Sequence, residues 1–132
     1  MAGIVGTYEM VSSDNYDGFL KAVGVAVIQR TMASKVTPTM TWINEGGKWT
    51  QKTKTTLKSF QIVFTEGEEF DEELADGRKC KATITFEGNT LVHKQKMDAL
   101  TAEVRREFKG DQMVSTFKAG DVVATRVFKK IA

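Results

Sequence analysis

Arginine at two positions of this 132-residue chain falls where a strand would turn its side chain away from solvent. In 101–109, Glu103, Arg105, Glu107 and Lys109 share one parity, and Ala102, Val104, Arg106 and Phe108 share the other. Alternate side chains of a strand point to opposite faces, so the charged parity marks the outside and Arg106 points inward. A register slip of one residue would reverse that assignment along with every neighbour. Arg126 shares parity with Val122, Ala124 and Phe128, but Val123, Thr125 and Val127 are nearly as apolar, so pattern alone leaves its direction open. Residues that face each other across a hairpin are equidistant from its centre. Turns near Gly110 and Gly120 therefore set both Arg106 and Arg126 opposite Val114 or Ser115. The arginines then lie at one level, about 10 Å apart at the backbone, with Ser115 between them and inward by its parity with Met113 and Phe117. Two guanidinium groups in an apolar interior repel each other unless an anion or water relieves them, and a carboxylate fits their planar forks. The competing reading pairs them with internal carboxylates or lets them reach the surface.

Catalytic chemistry finds less support. Cys80 and His93 are the only cysteine and histidine, and a hairpin centred near Gly88-Asn89 sets His93 opposite position 84, about 13 Å along the strand from Cys80. His93 is read as a satisfied interior histidine and Cys80 as a small core residue. No metal-ligand spacing or phosphate-cradling glycine loop occurs, so neither a metal nor a cofactor is expected.

The elements that would hold these groups are mostly strands. Tyr16, Phe19, Leu20, Val23 and Val27 recur at helical spacing, with Asp14 as the expected cap and Asp17 suited to the positive end of the helix dipole. Gly24 interrupts the pattern and Pro38 follows it, which predicts two short helices over 15–23 and 25–35. From Thr39 onward, alternating stretches are separated by turn signals at Glu45-Gly46-Gly47, Glu66-Gly67-Glu68, Asp76-Gly77, Glu87-Gly88-Asn89, Lys109-Gly110-Asp111 and Ala119-Gly120-Asp121. They spell consecutive β-hairpins.

Parity assigns further inward faces. In 78–86 these are Arg78, Cys80, Ala82, Ile84 and Phe86; in 48–58, Trp49, Gln51, Thr53, Thr55 and Leu57; in 91–97, Leu91, His93, Gln95 and Met97. A dry sandwich core would bury several of these polar groups unpaired, at about 1 to 3 kcal/mol each and more for a charge, against a typical net stability of roughly 5 to 15 kcal/mol. A closed barrel with a filled lumen avoids this, and the helices, having no place in its wall, would cover one open end.

Composition agrees. One domain over 1–132 suits the length, and 41% hydrophobic with 27% charged residues describes a globular chain. A net charge of +2 does not argue for nucleic acid or another strongly anionic partner. Phe60, Phe64, Phe86, Phe108 and Phe117 take interior parity, which leaves few aromatics for an external base-stacking platform, while Trp42 and Trp49 are ambiguous. The first ten residues carry no leader pattern, no window approaches a membrane span, and one cysteine excludes an internal disulfide, so a reducing cytoplasm is expected.

Across essentially its whole length the chain resembles the intracellular lipid-binding proteins, in particular the fatty-acid-binding proteins of heart and adipocyte type. The matching residues are Gly6-Thr7-Tyr8, Asn15-Tyr16-Asp17-Gly18-Phe19-Leu20, Val23-Gly24-Val25, Phe70-Asp71-Glu72, Ala75-Asp76-Gly77-Arg78, Arg106-Glu107 and Thr125-Arg126. The resemblance implies an all-β fold: a ten-stranded antiparallel up-and-down barrel with a helix-turn-helix lid. It implies a monomeric carrier of long-chain fatty acids, not an enzyme, with the carboxylate held by Arg106 and Arg126. The family's tyrosine two residues after Arg126 is Phe128 here, which removes one hydroxyl donor, a role that water or Ser115 would take over. Portal and cavity are assigned to Tyr16, Leu20, Val27, Pro38, Thr53, Leu57, Ala75, Asp76, Arg78, Val104 and Phe117. Lys21, Arg30, Lys35 and Lys58 are candidates for transient membrane contact through the lid, or for plain solvation. Retaining both arginines separates the chain from the retinol carriers, whose corresponding positions hold glutamine. Carriers of retinoic acid or another hydrophobic carboxylate are the alternative, and a nucleic-acid-binding barrel is the alternative of a different class.

Overall fold

The computed structural model describes residues 3–132, so the first two residues of the segment read for a leader lie outside it. Ten strands and two helices follow one another as β1 (Gly6–Asp14), α1 (Tyr16–Ala22), α2 (Val27–Ala33), β2 (Thr39–Glu45), β3 (Lys48–Lys54), β4 (Ser59–Thr65), β5 (Phe70–Glu73), β6 (Lys79–Glu87), β7 (Thr90–Lys96), β8 (Thr101–Lys109), β9 (Gln112–Ala119) and β10 (Val122–Lys130). All pairings are antiparallel, in the order β4-β3-β2-β1-β10-β9-β8-β7-β6-β5. The first and last strands pair, and the sheet curls into a nearly closed up-and-down barrel whose seam lies between β4 and β5. At the seam's lower end Gly67 N–H donates to the Ile84 carbonyl and the Glu66 carboxylate accepts from Phe86 N–H, so the gap is partly bridged.

Five of the six turn signals fall at hairpins; the sixth, Glu66-Gly67-Glu68, joins β4 to β5 across the unpaired seam, where a further hairpin was expected, and two further turns carry no signal. Residues 48–58 read as one strand, whereas the chain reverses after Lys54: Thr55 Oγ1 accepts from the amides of Leu57 and Lys58, making a turn without glycine or proline. Thr55 and Leu57 therefore leave the inward face, and Leu57 is 57% exposed. Arg78 departs from its expected inward direction for the same reason. It precedes β6, is exposed, and donates from Nε to Asp76 Oδ2 at 2.7 Å.

The lid differs in its details. Asp14 is the last residue of β1 and does not cap α1; Asn15 does the turning, in the left-handed region at φ 57°, and its side chain donates to the Val123 carbonyl. Phe19 and Val23 are buried against the β9 and β10 end of the barrel, each stabilising the lid by about 1.5 to 3 kcal/mol. Gly24, at φ 87°, ends the first helical phase. Helix α2 restarts on a new phase, with Gln29, Met32, Ala33 and Val36 facing the barrel mouth. Val27, expected on the buried stripe, is consequently 62% exposed on the outer face.

Below the lid, the closed end is filled by Ile4, Tyr8, Trp42, Trp49, Ile62, Phe64, Ile84, Leu91, Phe108 and Met113. Both tryptophans are core residues. The upper half is hollow and carries the polar interior positions.

Candidate functional site

Arg106 and Arg126 both pair in register with Ser115, across the β8–β9 and β10–β9 ladders respectively. All three side chains are buried. This is the level that the hairpin construction gives, and burial settles the direction of Arg126 that pattern left open.

Arg106 Nη1 donates to Ser115 Oγ at 2.8 Å, while its Nε is buried without a partner among the described residues. Its guanidinium carbon lies 5.5 Å from the Phe117 ring and 6.0 Å from the Trp42 ring. Burial pushes its pKa down to about 10; the Arg126 charge adds to this, and Tyr16 and Glu72 oppose it. Arg126 is also pushed down by burial. Its Nε donates to Ser13 Oγ of β1 at 3.1 Å, and its guanidinium carbon lies over the Tyr16 ring of α1, 3.4 Å from the centroid. No carboxylate pairs with either arginine at ion-pair distance among the described residues, which removes the competing reading in its first form, and their burial removes it in its second.

Both arginines line an inner chamber of ≈ 170 Å³ together with Phe128, Val104, Phe117, Met40, Gln51 and Thr53. An outer chamber of ≈ 420 Å³ lies under α2, shares Tyr16, Leu20, Pro38, Thr53, Ala75, Asp76 and Arg126 with the inner one, and is walled by Met32, Val36, Leu57 and Lys58. The structure therefore brings together nearly every residue expected at the cavity and portal. Val27 lines neither chamber, and Arg78 reaches the inner one only from its rim. Phe128 is fully buried, so its ring presents carbon where a phenol would present oxygen.

Glu72 was missed. It is 7% exposed and accepts from His93 Nε2 at 2.7 Å and from Gln95 Nε2 at 3.2 Å on Oε1 and 3.1 Å on Oε2. The signal was available: Phe70 and Glu72 share a parity opposite Asp71 and Glu73, with both of the latter exposed. Cys80 is opposite Glu72 in register and does not reach His93's position, which pairs with Ile84. Burial, then the Glu72 charge, push the Cys80 thiol up to about 11, the reverse of what a nucleophile needs.

Residues 5–131 match the family described as lipocalin / cytosolic fatty-acid binding protein. The chain is 41% identical over 130 residues to the sodium/calcium exchanger regulatory protein 1 of Doryteuthis pealeii, covering 98% of each. It is 44% identical over 124 residues to the muscle fatty acid-binding protein of Schistocerca gregaria, covering 92% of each. Its structure superposes with a TM-score of 0.96 on the Schistosoma mansoni fatty acid binding protein in complex with arachidonic acid, at 34% identity over all of this chain and 98% of that one. This correspondence over almost every residue, on the same barrel, places the chain in the lipocalin / cytosolic fatty-acid binding protein family, a family of lipid-binding carriers and not of enzymes.

Proposed function

We propose that the protein is a monomeric, single-domain cytoplasmic carrier that binds a long-chain fatty acid non-covalently. Arg106 and Arg126, with Ser115 between them, hold the carboxylate, Phe128 packs beside it, and the alkyl chain lies along the apolar walls of the two chambers. The observation that carries this reading is the pair of buried guanidinium groups at one level, with no protein carboxylate at ion-pair distance and an apolar cavity above them. The relative solved with arachidonic acid supports it. Cargo passes the portal between α2, Leu57 and the turn at Ala75-Asp76.

The lid's outer face favours transient contact with a membrane during transfer. Val27 and Ile28 are exposed apolar groups on that face, and Leu57 is another at the portal beside it. Arg30 is tied to Asp17 and the Val25 carbonyl, and Lys58 to the Ala75 carbonyl, so Lys21 and Lys35 supply the charge for that contact.

The test uses delipidated protein and a fluorescent fatty acid as probe. Saturable displacement by oleate, with oleyl alcohol at least tenfold weaker, supports the reading. Equal affinity for acid and alcohol refutes the carboxylate role.

A further inference from the structure

The headgroup site makes no use of Glu72, the one carboxylate among the buried polar side chains. With His93 and Gln95 it lines the same inner chamber as the arginines. Arg106 is level with Leu91 on β7, so His93 and Gln95 stand two and four residues nearer the mouth, about 7 and 13 Å along the strand. A chain whose carboxylate sits at the arginines must pass this second polar group.

Its hydrogen-bonding balance is one-sided. A carboxylate offers roughly four lone-pair positions. Among the described residues, Glu72 Oε1 takes two donors and Oε2 takes one. The Gln95 amide oxygen receives none of the side-chain hydrogen bonds there. His93 Nδ1 is buried without a partner, and in the tautomer that donates from Nε2 it is a further acceptor. The cluster therefore has more acceptor positions than side-chain hydrogen bonds fill, and a further donor would suit it. A methylene chain cannot supply one, whereas a hydroxyl can, through one O–H. Charge sets the other limit. Two buried guanidinium groups against one buried carboxylate leave a single positive charge in the chamber, which one ligand carboxylate neutralises. A second ligand carboxylate at that same depth, about 7 to 13 Å from the first, would meet Glu72 in a medium that screens poorly.

We infer that Glu72, His93 and Gln95 form a second polar subsite for a hydroxyl on the ligand chain, so that the favoured cargo is a hydroxylated long-chain monocarboxylate and a second carboxylate at that depth is disfavoured. The inference rests on the fatty-acid carrier reading above and narrows its substrate class.

The experiment is a displacement titration of the delipidated protein with stearate, with monohydroxystearates carrying the hydroxyl at successive chain positions, and with the diacid that carries a carboxyl in place of the hydroxyl of the tightest isomer. At least one positional isomer is expected to bind fivefold or more tighter than stearate, and the diacid tenfold or more weaker. Glu72→Leu is expected to erase the hydroxyl preference, read as the ratio of hydroxystearate to stearate affinity in the same variant. Glu72→Gln, closer in shape and able to stand in if the leucine variant does not fold, is expected to narrow the diacid penalty. Hydroxystearates that all bind no better than stearate would overturn the subsite and leave the carrier reading intact. Failure of stearate itself to bind would overturn both.

Discussion

Replacing Arg106 by glutamine should separate the energetics of the empty protein from those of the loaded one. The fall in the Arg106 pKa from its ordinary value to about 10 means that its charged form is held in the folded, empty protein at a cost on the order of 3 kcal/mol, at ~1.4 kcal/mol per tenfold change in proton affinity. Glutamine removes that cost. It also removes the 2.8 Å bond to Ser115 Oγ, and hydrogen bonds to charged groups contribute about 1.5 to 3 kcal/mol. The two effects nearly cancel, and the delipidated variant should be as stable as the parent or more stable by about 1 kcal/mol. Ligand binding has no such compensation: loss of a charge-assisted contact to the carboxylate should weaken fatty-acid affinity by about 2 to 3 kcal/mol, roughly 30-fold to 150-fold. Urea unfolding of delipidated samples measures the first quantity and displacement titration the second. An empty variant less stable by more than about 2 kcal/mol, combined with an unchanged dissociation constant, would show that Arg106 is a structural residue and would refute the argument.

Other changes probe separate parts of the molecule. Phe128→Tyr restores a hydroxyl beside the arginines and should tighten fatty-acid binding by about 1.5 kcal/mol, roughly tenfold, by titration; weaker binding would show that the chamber is fitted to phenylalanine. Cys80, its thiol pushed up to about 11, should resist alkylation at pH 8 in the native state and react once unfolded in urea; rapid native labelling would contradict its burial. Gly6→Ala should lower stability by more than 1 kcal/mol, on the order expected for a side chain forced into a positive φ, because φ is 147° and an added Cβ would lie 2.8 Å from the Ala132 carbonyl oxygen; thermal unfolding reads this. Val27→Ser with Ile28→Ser should slow transfer of a fluorescent fatty acid to anionic vesicles at least threefold while leaving its affinity within twofold, since neither residue lines a chamber, and an unchanged transfer rate would dismiss the lid as a membrane contact.

Much of this architecture is legible in the residues because strand parity is an all-or-none code. Charges at 103, 105, 107 and 109 leave Arg106 no outward option, and two glycine-centred hairpins bring Arg126 to the same level through Ser115. Legibility ends where the code has no punctuation. The reversal at Thr55 is made by a threonine hydroxyl, not a glycine, so Leu57 stayed on a strand it does not belong to. Arg78 lies one residue before β6, where parity no longer governs direction. Val27 was misplaced because a helical stripe cannot be carried through a break: Gly24 resets the phase, and everything after it rotates. Glu72 was overlooked for a different reason. Its strand has four residues, too short for alternation to stand out, and the two strands that complete its hydrogen-bond partners and its register lie further along the chain.

The contact of the Arg126 guanidinium with the Tyr16 ring joins the interior of the barrel to its door. Any force that swings α1 outward must first peel an aromatic face from a cation. Any anion that draws that cation away loosens the helix in turn. Thermodynamic reciprocity makes these one quantity seen from two sides: cargo that unlatches the helix is cargo that a displaced helix grips differently. If Arg126 holds the cargo as proposed, a partner that engages the doorway would act on the handle within without a signal reaching into the barrel.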